Sequence, residues 1–200
     1  EGLYKHIMTL PQTEVDEILM PLVERLGDQF PQDLKKPDYW ALAAAHRFPA
    51  IDGKFDRGLF SIYLLNLLHL KPGQGTYQPA GVLHAYLHGV NIELMADSDN
   101  VLRGGLTPKH INVPELLKTV NFEGGIPEIL TGSLKKGMET VYETPSPEFE
   151  LSKITLLPNK NYKSMDKAPA IFLVLDGHCR MGSTVYERGE AAFVPANIEY

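Results

Sequence analysis

Gly73-Gln-Gly-Thr-Tyr-Gln-Pro79-Ala-Gly81-Val-Leu-His84 runs directly into HAYLHGVNIELMADSDNVLRGGLTPK, His84 to Lys109, and this joined stretch decides how the chain is read. Its first part has the spacing G-x5-P-x-G-x2-H. A glycine makes a turn, an extended segment follows, Pro-x-Gly bends the chain, and a histidine is delivered at the start of the next extended run. The second part brings a good metal ligand, three carboxylates, an arginine and a lysine into one apolar-backed segment. So dense a mixture of chemistry-bearing residues points to a site rather than to packing alone.

The spacing up to His84 is that of the second sequence motif of the cupin barrels, and with the residues that follow, the chain resembles the type I phosphomannose isomerases. The signature of that family reads H-A-Y-L-x-G, then I/L-E-x-M-A-x-S-D-N, then R-A-G-x-T-P-K. It is kept here at His84–Gly89, Ile92–Asn100 and Arg103–Lys109, with one departure at Gly104, where Ala is usual. Gly for Ala beside a second Gly loosens a turn and removes no chemical group. The run Phe55 to Asn66 is similar to the strand that leads into this segment in the family, and the resemblance is best over residues 37 to 122.

The resemblance implies a mainly β fold of two cupin-like (jelly-roll) barrels, incomplete in this chain, with a helical insertion. The implied organisation places the end of a barrel strand or a linker at 1–8 and the helical insertion at 9–48. A metal-bearing cupin half follows at 49–112, a short helix and connection at 113–148, and a second, truncated barrel at 149–200. It also implies a zinc-dependent aldose–ketose isomerase interconverting mannose 6-phosphate and fructose 6-phosphate through an enediolate. In the family, the zinc is held by the histidine matching His84, together with a Gln-x-His pair and a Glu from earlier strands. No Gln-x-His occurs in this chain, so those ligands are expected upstream of Glu1. The family's catalytic arginine falls on Arg103, and the lysine of its Thr-Pro-Lys falls on Lys109, where it could neutralise a substrate phosphate.

Each residue also has a duller reading. A lone histidine beside Val82 and Leu83 is more often a hydrogen-bonded structural residue than a ligand, and it is the spacing that turns His84 into a metal candidate. Arg103 could be a surface residue flanking a turn, but the apolar pair before it and the Gly pair after it suit a guanidinium lining a pocket. Glu93 alternates with Ile92 and Leu94, so its side chain faces away from theirs, and a barrel interior is one of two destinations. Asp99 reads equally as a catalytic carboxylate or as the cap of the turn at Ser98-Asp-Asn. Tyr86 shares the parity of His84 and is a candidate substrate contact.

Composition bounds the rest. Two hundred residues with 44% hydrophobic content can bury a sizeable core. A formal net charge of −6 argues against broad nucleic-acid binding, and the partner expected is a small sugar phosphate. One cysteine, Cys179, permits no intrachain disulfide. No run is apolar enough to span a membrane, and nothing at the N-terminus looks like a signal peptide, so a cytoplasmic location is the expectation. The start at Glu1 without a methionine and the stop inside a strand-like run suggest a piece of a longer protein.

Residues 9–48 carry a helical pattern, with Thr13 as cap and an interruption at Pro21. A helix from Pro37 to His46 begins with proline in its first turn. Alternation predicts short strands at 60–70, 76–78, 84–87 and 92–95, a helix at 113–120, and strands at 149–157, 170–175 and 191–194. A repeat links Gly73-x5-Pro79-Ala80 to Gly189-x5-Pro195-Ala196, and Leu175-Asp-Gly177 suits a hairpin turn. Aligned on the prolines, Tyr200 stands where His84 does, which leaves the second unit with no matching metal ligand. Two other readings remain: a cupin that binds a sugar or sugar phosphate without turning it over, and an iron-dependent cupin oxygenase.

Overall fold

The computed structural model describes residues 1–98, 100–135 and 137–200. Its elements are several helices followed by small antiparallel sheets, and the chain divides into two units. The first comprises Glu1–Gly132 and Tyr142–Leu151, the second Ser133–Val141 and Ser152–Tyr200.

In the first unit, helix α1 spans Gly2–Thr9, α2 Gln12–Gln29 and α3 Pro37–Arg47. Residues 2–9 are thus helical, where a strand end or linker is the expectation. Thr13 is not the cap of α2. The helix begins one residue earlier behind Pro11, and the Gln12 side chain reaches sideways instead, donating to Asp16 Oδ1 (2.9 Å) and to the Phe55 carbonyl (2.9 Å). Nor does Pro21 break α2, which runs through it. A proline inside a helix forfeits one backbone hydrogen bond and crowds the preceding turn, a cost of about 3 kcal/mol. Burial offsets it: Val15, Leu19 and Leu26 are fully buried, each contributing roughly 1.5–3 kcal/mol. Val15 and Leu19 meet Leu10, Ala45 and Leu59 in one cluster, and Leu26 meets Ala41 and Leu42 in another.

Between residues 48 and 113 the chain departs from the alternation pattern. Arg57–Phe60 form a 3-10 turn capped by Asp56 and continue into a short helix α4, Ser61–Leu64, where a strand is the expectation. Among the described residues from Leu65 to Ile111 no regular strand forms, and an isolated bridge joins Gly75 to Leu130. The segments 76–78, 84–87 and 92–95 therefore lie outside any ladder among the described residues. Alternation reports which way side chains point, whereas a strand also needs a neighbouring backbone at the right register. Helix α5, Val113–Thr119, closes this region. Asn112 caps it by accepting from Glu115 N (3.2 Å), and Pro114 sits in its first turn.

The second unit is built on antiparallel pairing. Strands β1 (Ser133–Leu134), β2 (Glu139–Tyr142) and β3 (Leu151–Ile154) form one sheet in that order. Beyond them, β4 (Ala170–Leu173) pairs with β7 (Ala191–Val194), and β5 (His178–Met181) pairs with β6 (Thr184–Glu187). These ladders make one ribbon folded back at Gly182. Ser164 and Tyr200 exchange both backbone hydrogen bonds at its open end, and Val174 bonds with Glu190 and Gly189 in the middle. Leu175-Asp-Gly177 is accordingly not the hairpin turn. It is a corner where the register slips by one residue, with Gly177 at φ +66°.

The sequence repeat has a conformational counterpart. Gly73 and Gly189 both have positive φ, +85° and +90°, and eight residues on, Gly81 and Asn197 do as well, at +81° and +61°. Tyr200, at the place of His84, donates its hydroxyl proton to the Asp166 carboxylate.

Candidate active site

All the candidate residues belong to the first unit, and the helices fix where they stand. Leu83, just before His84, and Leu102, just before Arg103, both pack on the buried cluster of Tyr4, Met8 and Leu116. Two points of an otherwise irregular segment are thus fastened to one patch of core.

His84 is exposed, with Nδ1 3.0 Å from the carbonyl of Val82. A proton on Nδ1 donates to that carbonyl and leaves the Nε2 lone pair free, the arrangement in which an imidazole binds a metal. Tyr86 lies on the same side, as its parity requires, with its ring centroid 6.0 Å from that of His84. The Tyr86 hydroxyl donates to Glu93 Oε1 at 2.9 Å. Partial desolvation, and then the accepting carboxylate, push the Tyr86 hydroxyl up to about 12. His84, Tyr86 and Glu93 are therefore brought together. Asp99 lies outside the described residues.

Arg103 is half-buried, and among the described residues its guanidinium has no hydrogen-bond or ion-pair partner. Lys109 is exposed, its backbone N–H donating to Thr107 Oγ1 at 3.2 Å. The loop that carries Arg103 is the tightest part of the region. A Cβ on Gly105 would stand 2.4 Å from Gly58 Cα, and one on Gly58 would stand 2.7 Å from Leu106 N, so two glycines let the backbones cross in contact. Leu106 is held at φ +50°, which costs a β-carbon-bearing residue about 1–2 kcal/mol. Packing of Leu106 into the cluster around Leu59 offsets that cost.

Sequence reasoning did not single out Asp56 or Tyr4 as supports of this loop. Asp56 joins its two arms, accepting from Gly58 N through Oδ1 (2.7 Å) and from Leu106 N through Oδ2 (2.8 Å). The Tyr4 hydroxyl lies 3.0 Å from where a Cβ on Gly104 would be. It is buried without a partner of good hydrogen-bond geometry. Burial raises its pKa, and the nearby Ser61 hydroxyl opposes this only in part. The glycine pair and the Asp-x-Gly at 56–58 were visible signals, but which segment each would meet was not.

Among the described residues, no group of three or more His, Cys, Asp or Glu side chains could hold a metal ion. The His84 imidazole, with Nε2 left free by the Val82 contact, fits a site completed by further ligands and does not by itself make one.

No family model matches the chain. Mannose-6-phosphate isomerase of Escherichia coli (strain K12) is 42% identical over 146 residues, covering 71% of this chain and 37% of that protein. The Homo sapiens mannose-6-phosphate isomerase is 32% identical over 213 aligned positions, covering 98% of this chain and 49% of that protein. The crystal structure of mannose 6-phosphate isomerase from Salmonella typhimurium bound to its substrate, fructose 6-phosphate, and to zinc superposes with a TM-score of 0.77 at 30% identity. It covers 98% of this chain and 49% of that one. The chain spans at most about half the length of these relatives. By sequence and by fold it is related to the mannose-6-phosphate isomerases.

Proposed function

We propose that this chain is part of a zinc-dependent isomerase that interconverts mannose 6-phosphate and fructose 6-phosphate through an enediolate. The observation that carries the reading is the similarity along 98% of the chain to a mannose 6-phosphate isomerase crystallised with fructose 6-phosphate and zinc. The retained signature from His84 to Lys109 supports it.

In this reading His84 contributes one zinc ligand through Nε2, and the other ligands come from sequence outside Glu1–Tyr200. Bound zinc supplies Lewis-acid stabilisation for negative oxygen on the substrate. The chain's own residues do the remaining work. Arg103 places its guanidinium beside the reacting carbons and stabilises the developing oxyanion. A guanidinium keeps its charge throughout, so it acts as an electrostatic partner rather than as a proton donor. Tyr86 and Glu93 form a hydrogen-bonded pair that orients the sugar. Glu93 and Asp99 are the candidate carboxylates for proton transfer between C2 and C1. Lys109 offers its ammonium to the phosphate.

We further propose that the two units belong to two cupin-like barrels, with residues 9–48 as a helical insertion, 49–112 as the metal-bearing half and 149–200 as the truncated second barrel. The matched positive-φ positions of the two repeat copies support this. A cytoplasmic location is part of the same reading. The described helices include none long and apolar enough to cross a membrane. The test is interconversion of the two sugar phosphates by the full-length protein. Activity abolished by a strong chelator and restored by zinc is expected. A folded, metal-loaded protein with no turnover would shift the reading to a non-catalytic sugar-phosphate-binding cupin.

A further inference from the structure

Resting on the isomerase reading, we infer that Asp56 is a positioning residue for Arg103. Its carboxylate bridges two backbone arms, accepting from Gly58 N close by and from Leu106 N, 50 residues further along the chain than Asp56. Leu106 lies three residues beyond Arg103, and the intervening Gly104-Gly105 would otherwise leave the loop free to swing. With Leu102 packed in the core on the other side, the Asp56–Leu106 hydrogen bond fixes the second end of the short span that carries the guanidinium.

The platform under Asp56 is itself tied down on both flanks. Phe55 N donates to Asp16 Oδ1 at 2.7 Å, and the Phe55 carbonyl accepts from Gln12, so one side is anchored to α2. Arg57 donates to the carbonyls of Met8 (2.7 Å) and Ile7 (3.2 Å) at the end of α1, which anchors the other. Asp56 stands between these anchors with both oxygens committed to backbone N–H groups. The helical region thereby sets where the Arg103 backbone lies, without Asp56 touching the substrate.

Asparagine at 56 keeps one acceptor oxygen but turns an N–H2 group toward one of the two N–H donors, which breaks the bridge with almost no change in volume. In the full-length protein, Asp56→Asn is expected to lower kcat by on the order of a hundredfold, as for a misplacement of about 1 Å, with KM changing far less. Amide exchange at Leu106 should accelerate. Asp56→Glu, which keeps the charge and both acceptors, should recover part of the loss. The decisive comparison is made in the Arg103→Ala background, where Asp56→Asn should cost little further kcat, because the group it positions is gone. Full multiplicative loss in that background, or wild-type kcat in folded Asp56→Asn, would overturn the role. If Asp56→Asn does not fold, Asp56→Glu decides: wild-type kcat with a shifted carboxylate would likewise overturn it. An inactive wild-type protein would instead refute the isomerase reading on which the role depends, and is seen before any variant is made.

Discussion

Gly104→Ala tests the packing around the arginine loop in the direction of the family's usual residue. The Gly104 backbone is outside the left-handed region, so alanine is conformationally acceptable there. Acting through the unfolded chain alone, the change should stabilise the protein by about 0.4–1 kcal/mol. The new Cβ would meet Leu83 Cδ2 at 3.5 Å and Leu116 Cδ2 at 4.0 Å, both ordinary contacts, but Tyr4 Oη at 3.0 Å. Tyr4 is 8% exposed and cannot move away freely, so crowding of about 1–2 kcal/mol opposes the gain. The expected result is a protein destabilised by up to about 1.5 kcal/mol, or at most roughly 3–6 °C in Tm. Tyr4→Phe removes both the crowding oxygen and a buried hydroxyl without a good partner, and should itself be neutral or stabilising by up to about 1 kcal/mol. In that background Gly104→Ala should become stabilising, giving a coupling energy of about 1 kcal/mol in a double-mutant cycle by thermal and urea unfolding. Equal effects of Gly104→Ala in the two backgrounds would show that the Tyr4 hydroxyl does not crowd position 104.

Gly105→Ala should be far worse. A methyl 2.4 Å from Gly58 Cα, at φ +133°, should cost about 3 kcal/mol or more, and unfolding within about 1 °C of wild type would contradict the close backbone crossing. In the second unit, Tyr162 donates to buried Glu139 at 2.7 Å. Desolvation first, and then that carboxylate, push the tyrosine up to about 12. Because the folded value exceeds the ordinary value near 10, the stability this hydroxyl contributes is fully present below about pH 10. It is lost as pH rises from about 10 to 12. Urea midpoints measured across that range should fall in the wild type and fall less in Tyr162→Phe. Parallel declines would remove Tyr162 as the cause.

How much was legible in the sequence depended on whether the deciding interaction was local. Helix α3 with Pro37 in its first turn and α5 behind Asn112 were readable because cap, proline and apolar spacing lie within a few residues of each other. Strands β4 and β7 were readable as apolar runs. Strands β5 and β6 were not, since His178–Met181 and Thr184–Glu187 mix charged and apolar residues on an exposed ribbon and are held by each other's backbone. Phe60–Leu64 looked like a strand but is helical, because the Asp56 cap starts a turn just before it. Among the candidate residues, the shared side of His84 and Tyr86 was legible from their spacing. The pairing of Tyr86 with Glu93 and the Asp56 bridge to Leu106 were not, because neither partner's position follows from spacing.

In the proposed function, Arg103 serves an isomerisation to which His84 contributes a zinc ligand. The most direct measurement compares wild type with Arg103→Ala in the full-length protein, following mannose 6-phosphate to fructose 6-phosphate turnover and zinc content together. Arg103→Ala should lose about 100- to 1,000-fold in kcat, the usual consequence of removing one oxyanion stabiliser, with zinc content unchanged. Undiminished turnover in Arg103→Ala would contradict that role.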